Sequence, residues 1–136
     1  MKVILDTNLL VSGIFFKGVP YEILLDWKKG KFKLVVSHSI LNEYNAVVEE
    51  LSKKYSNIEA NQILEKISLN AKIYFEIALP EQICDDPDDD KFFALALASK
   101  TKIIISGDKH LLHKSGYSGI RVLKPTEFLT QYLRKA

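Results

Sequence analysis

Four carboxylates in this chain stand where a fold could gather them. Asp6 closes the apolar run KVILD (Lys2 to Asp6), and Asp108 closes KIIISGD (Lys102 to Asp108). Asp90 is the last of five aspartates within the six residues from Asp85, just before the apolar KFFALALA. Glu43 is the next-to-last residue of the stretch SHSILNEY that follows FKLVV. Such groups cannot share a pocket unpaired, because mutual repulsion raises their pKa values until some are protonated. A divalent cation resolves the conflict, and oxygen-only ligands select a hard ion, Mg²⁺ or Mn²⁺. Mg²⁺ keeps several waters, so some of the four would act through water. A centre of this kind can bind a phosphodiester, generate a hydroxide nucleophile and neutralise developing charge.

Whether the four meet depends on the elements that carry them. KVILD is a short β-branched run ending in a polar residue, as expected of a strand buried on both faces. VPYEILLDWKKG predicts a helix with Pro20 in its first turn and Gly30 at its stop. FKLVVS is a second strand, after which Ser39 is expected to cap a helix carrying Ile40, Tyr44, Val47, Val48, Leu51 and Tyr55. Ser56 and Glu59 have capping-box spacing for a further helix built on Ile63, Leu64 and Ile67. KIYFEIA (Lys72 to Ala78) either finishes that helix or forms a strand, and a short strand near its end is expected. KFFALALASK reads as a helix, KIIISGD and IRVLK as strands, and Pro125 opens a closing helix, PTEFLTQYLRK. Strands alternate with helices and no tight hairpin signal joins two strands, which predicts a parallel sheet covered by helices on both sides. The length of 136 residues suits one domain, 1–136, with a single core.

In an open parallel sheet, functional groups collect beyond the carboxyl ends of the strands. Asp6 and Asp108 point at that edge, and the helix headed by Asp90 feeds the strand that ends at Asp108. Glu43 falls at the border of its helix's apolar stripe. From there it either reaches over the sheet edge or simply complements the helix dipole. Asn8 could hold the Asp6 carboxylate and Ser106 could orient a metal-bound water or a phosphate; their plainer roles are turn residue and strand end. Asp88 or Asp89 is expected to cap the helix, with Asp85 and Asp86 as turn formers or supporting residues. A calcium loop is excluded, since the required glycine is Lys91 and the closing glutamate is Leu97. Lys17, His38, Lys91, Lys109 and His110 flank the expected site and could meet phosphates.

Bulk composition narrows the class. With 47% hydrophobic, 26% charged and 10% aromatic residues the chain reads as a soluble globular protein. A net charge of +2 does not announce a polyanion binder, although Lys28, Lys29, Lys31 and Lys33 cluster. Cys84 is the single cysteine, which excludes an intrachain disulfide and a thiolate zinc site and suits a reducing cytoplasm. Met1 is followed at once by a strand, leaving no room for a signal peptide, and no apolar stretch approaches the roughly 18 residues of a membrane span.

VILDTNLLVSG, SHSILNEY, DPDDDKFFALALA and IIISGD together resemble the PIN-domain ribonucleases, especially the PIN-family toxins of prokaryotic toxin–antitoxin pairs. The likeness runs from Met1 to the closing LKPTEFL. It implies a three-layer α/β/α sandwich with a central, mostly parallel sheet and a Mg²⁺- or Mn²⁺-dependent endonuclease acting on single-stranded RNA. It also implies a homodimer and a cognate antitoxin protein that blocks the site. The family's acidic set falls on Asp6, Glu43, Asp90 and Asp108, the four already reached from sheet geometry. Two rival readings are carried forward. A non-catalytic module could keep the fold to bind RNA or protein. A Mg²⁺-dependent phosphatase of the haloacid-dehalogenase type wants a second aspartate where Asn8 stands.

Overall fold

The protein is described by a computed structural model covering residues 1–56 and 59–134. Five strands, β1 (Lys2–Leu5), β2 (Lys33–Ser37), β3 (Lys72–Tyr74), β4 (Ile103–Ile105) and β5 (Arg121–Leu123), form one sheet in the order β3-β2-β1-β4-β5. Every pair is parallel. Helices α1 (Thr7–Phe15) and α2 (Val19–Lys28) link β1 to β2, and α3 (His38–Ser52) and α4 (Ala60–Asn70) link β2 to β3. Next come α5 (Asp90–Ser99) before β4, α6 (Lys109–Leu112) before β5, and α7 (Pro125–Phe128), which passes into a π-helical turn at Leu129–Leu133.

Strand order reverses at β1, whose neighbours are β2 and β4. Right-handed crossovers on either side of that reversal must lie on opposite faces of the sheet. Accordingly α5 packs across β2, β3 and β4, while α1 packs against α2, α3 and α4, and α2 against α7. The result is a three-layer α/β/α sandwich. Val3, Ile4 and Leu5 of β1 and Val35 and Val36 of β2 are completely buried, as central parallel strands covered on both sides require.

Several local expectations change. No element was expected over Thr7–Phe15, yet α1 starts there, directly after Asp6. Thr7, Leu9, Leu10, Val11, Gly13 and Ile14 are all buried, so this helix has almost no polar face and shows no amphipathic period. Ser37 rather than Ser39 caps α3: its Oγ accepts the Ile40 N–H at 3.3 Å, while the Ser39 hydroxyl donates to Glu76. That helix ends at Ser52, leaving Tyr55 outside it. The Ser56/Glu59 capping box does not form, because Glu59 itself precedes the first residue of α4. The strand in KIYFEIA lies at its start, where Lys72–Tyr74 pair with Val35–Ser37. The closing helix is shorter than expected, with only Pro125–Phe128 regular before the π-helical turn. No single helix among the described residues is long and apolar enough to cross a membrane.

Gly13 is where α1 and α2 come closest. A Cβ built there would stand 2.7 Å from Leu24 Cδ1 and 2.8 Å from the Pro20 carbonyl oxygen, too near for either to remain in place. Gly13→Ala should therefore destabilise the fold by about 1–3 kcal/mol despite alanine's better helix propensity. Urea unfolding measures this, and a stability equal to or above the parent's would show that the contact is not tight.

Candidate active site

The parallel ladder runs one residue beyond each central strand. The Asp6 N–H donates to the Ile105 carbonyl at 3.0 Å, and the Ser106 N–H to the Leu123 carbonyl at 3.0 Å. Asp6 and Ser106 thus stand side by side at the carboxyl edge, at the point where strand order reverses and open α/β sheets place their ligands. Ser106, fully buried, donates its hydroxyl to Asp6 Oδ2 at 2.7 Å and accepts the Asp108 N–H at 3.0 Å. One serine therefore ties the two aspartates together. Asp108 is half-buried, and its Oδ1 accepts the His110 N–H at 2.9 Å at the start of α6. Asp6 is only 7% exposed. Burial pushes its carboxyl above the usual carboxylate range, against the Ser106 hydrogen bond, and the charges of Asp108 and Glu43 add to the push. Asp6 and Asp108 open on a cavity of about 420 Å³, with Asn8, Ser12 and Gly107 on its walls. Asn8 is exposed and does not hold the Asp6 carboxylate; that task falls to Ser106.

Glu43 does lean over the sheet edge, the first of its two readings. One carboxylate oxygen accepts the hydroxyl of Thr7, the residue after Asp6. The other accepts from Lys91 Nζ at 2.6 Å, and the same ammonium reaches Asp88 Oδ2 at 2.8 Å. Burial works against the Lys91 ammonium, but its hydrogen bonds to Asp88 and Glu43 outweigh that and raise its pKa. Tyr44, fully buried beside Glu43, donates its hydroxyl to the Leu5 carbonyl and so braces the last turn of β1.

The aspartate run divides in an unexpected way. Asp86 caps the 3-10 turn Pro87–Asp89, its Oδ1 accepting the Asp88 N–H at 3.0 Å. Asp90, expected as the third pocket acid, spends both oxygens on the chain: Oδ1 accepts the Cys84 N–H at 2.7 Å and Oδ2 the Ile83 N–H at 3.0 Å. It therefore clamps the incoming loop to the start of α5. Asp89, expected as a helix cap, makes no capping hydrogen bond. Its carboxyl is pushed up to about 6, first by burial and then by the charges of Asp86, Asp108 and Asp6. Of the run, Asp89 is the acid whose carboxyl responds to the charges of Asp6 and Asp108.

Among the described residues, no three His, Cys, Asp or Glu side chains converge closely enough to cage a metal ion. The hydrogen bonds account for this, since Glu43 and Asp90 are held by protein donors and Asp6 and Asp108 remain as a linked pair. Of the flanking cations, Lys91 enters the site. His38 stands at the end of β2 with its ring 5.9 Å from Phe75, and His110 Nδ1 lies 3.6 Å from Asp85 Oδ2. Lys17 follows α1, whose nine residues carry the chain about 14 Å from Asp6. Thr7, Asp89 and the anchoring role of Ser106 were not legible in the sequence. The only signal was adjacency, since Thr7 follows Asp6 and Asp89 precedes Asp90.

A parallel sheet whose acids meet at the β1/β4 reversal defines an α/β protein with an acidic edge site. Residues 2–110 match the PIN domain, and the chain belongs to the PIN-domain family, whose fold is of the nuclease type. It is 31% identical over 146 aligned positions to an uncharacterized protein of Methanocaldococcus jannaschii, MJ1680, covering 97% of this chain and 92% of that one. The crystal structure of PAE2754 from Pyrobaculum aerophilum superposes with a TM-score of 0.63 over 99% of this chain and 91% of that one; at 13% identity this likeness concerns the fold alone.

Two expected outcomes follow from the carboxylates. Asp90→Asn can no longer accept both N–H groups and should cost about 1–3 kcal/mol in urea unfolding; an unchanged midpoint would dismiss the clamp. Asp89 holds its proton to higher pH in the folded chain than the ordinary aspartate value of 3.8 that the unfolded chain has. Between 3.8 and about 6 the native state therefore binds more protons, so stability in chelator should fall as pH rises through that window. Asp89→Asn should flatten the fall; parallel curves for parent and variant would remove Asp89 from the pocket.

Proposed function

We propose that the protein is a metal-dependent endoribonuclease that hydrolyses phosphodiester bonds of single-stranded RNA, and that it acts as the toxin of a toxin–antitoxin pair. The observation that carries the catalytic part is the Asp6–Ser106–Asp108 linkage at the strand-order reversal of a PIN fold. The donor set is all oxygen, which fits a hard divalent ion. Mg²⁺ in particular takes one or two carboxylates and completes its shell with water and substrate phosphate. Asp6 and Asp108 would hold the ion, with Asp89 acting through water and Glu43 at the margin. Bound there, the ion would supply an activated water and a counter-charge for the phosphate under attack.

The chain's own residues prepare that chemistry. Ser106 fixes the rotation of the Asp6 carboxylate and the backbone of Asp108 at once. Burial of Asp6 keeps bulk water from competing for its oxygens. Asp90 holds the loop before α5 in place, next to Asp89. The toxin role, with a homodimer and an antitoxin that covers the site, draws its support from the resemblance of VILDTNLLVSG, DPDDDKFFALALA and IIISGD to PIN-family toxins.

One observation favours the rival of a non-catalytic module: Glu43 and Asp90 have their oxygens occupied by protein donors. A single experiment separates the two. The purified chain, incubated with total cellular RNA, should cut single-stranded regions with Mg²⁺ or Mn²⁺ and not with excess EDTA. Asp6→Asn and Asp108→Asn should each slow cleavage roughly 100-fold or more. Undiminished cleavage in EDTA would overturn the metal-dependent mechanism. RNA binding with no cleavage under any metal would favour the module.

A further inference from the structure

A cation stands beside the Asp6–Asp108 cavity, on the wall of a neighbouring cavity that Asp88 and Asp90 also line. The Lys91 side chain is only 12% exposed. It sits in the first turn of α5, where the helix dipole disfavours positive charge. A buried ammonium at such a place persists only if it is paired, and its partners are Glu43 Oε1 at 2.6 Å and Asp88 Oδ2 at 2.8 Å. Glu43 in turn has its second oxygen on the Thr7 hydroxyl, so this α3 carboxylate is held from both sides by groups of two other elements, α1 and α5.

This arrangement gives the acidic edge two arms, of which only the first lines the Asp6–Asp108 cavity. On one arm Asp6 and Asp108 are joined through Ser106 and open to the cavity. On the other, Glu43 is already neutralised. A divalent ion placed on Glu43 would stand within about 5 Å of the Lys91 ammonium, and like charges at that range repel. We propose that Lys91 is the pocket's second cation, a fixed ammonium that occupies the Glu43 arm, so that the Asp6–Asp108 arm takes up one divalent ion rather than two. This rests on the metal-dependent reading above. Lys91 is then a positioning residue: it holds the Glu43 carboxylate in place at the site's margin and supplies the charge that a second metal would otherwise bring.

The test counts ions rather than turnover. Mn²⁺ binding to the metal-free full chain is followed by isothermal calorimetry and by the loss of free-Mn²⁺ electron paramagnetic resonance signal. The parent should take up one Mn²⁺. Lys91→Met, which keeps the apolar stem and removes the charge, should take up two, and Lys91→Arg should return to one. In the parent background, Glu43→Gln should leave Mn²⁺ affinity within a few-fold, whereas Asp108→Asn should weaken it roughly tenfold or more. Two ions on the parent, one on Lys91→Met, or equal loss from Glu43→Gln and Asp108→Asn would each overturn the proposal while leaving the metal-dependent reading intact. No Mn²⁺ on the parent would overturn both. Should Lys91→Met fail to fold by circular dichroism, the parent count and the Glu43→Gln comparison decide.

Discussion

Crowded negative charge at the carboxyl edge of the sheet is the constraint around which the rest of the molecule is arranged. The charges of Asp108 and Glu43 help raise the Asp6 carboxyl's pKa, and those of Asp86, Asp108 and Asp6 help raise that of Asp89. Few of these charges can be left without compensation, because they stand where β1 and β4 run into the buried interior. The fold answers in three ways. Ser106 donates to one carboxylate and accepts from the backbone of another, Lys91 lends an ammonium to Glu43, and Asp90 is turned away onto backbone N–H groups. What repulsion remains is what a divalent ion would relieve under the proposed function.

The same constraint explains features that look unrelated. The α1 helix must begin at once after Asp6, since that turn delivers the Thr7 hydroxyl to Glu43 and leaves the Asp6 carboxylate at the helix's first turn. Starting there, α1 runs between the sheet and its neighbours, which is why nearly all of its residues are buried and why Gly13 is needed where α2 crosses it. Tyr44 braces the end of β1 from α3, one residue along from Glu43. Packing and electrostatics at this edge are thus set by the same few residues. A change made for one would be felt in the other.

Membership of the PIN-domain family fits this arrangement without completing it. The relative in Methanocaldococcus jannaschii is itself uncharacterized, so the chemistry of this chain has to be read from its own side chains. Those side chains distinguish an open Asp6–Asp108 arm from a closed Glu43 arm, a difference that the shared fold does not dictate.

Much of the architecture was legible in the chain itself. Alternating strands and helices without hairpin turns left a parallel sheet as the consistent solution, and strand-ending aspartates in such a sheet must share an edge. Local pattern and strand direction assign Asp6 and Asp108 to that edge, because these depend on short-range geometry, while they leave Glu43 between reaching over the edge and complementing its helix dipole. The course of α1 was hidden, since a helix buried on nearly every side has no amphipathic period to announce it. Within DPDDDK, sequence could not separate Asp89 from Asp90: adjacent residues on a helix differ by about 100° in direction, and which of them faces the pocket depends on how α5 is rotated against the sheet. The partners of Lys91 were equally beyond reach, lying 48 residues away at Glu43 and three residues away at Asp88. Composition and periodicity determined which elements form and which edge carries the acids. Only the packing of α1, α3 and α5 onto that edge decided which carboxylates stay open and which are already answered, because that choice is made by side-chain contacts between segments far apart in the chain.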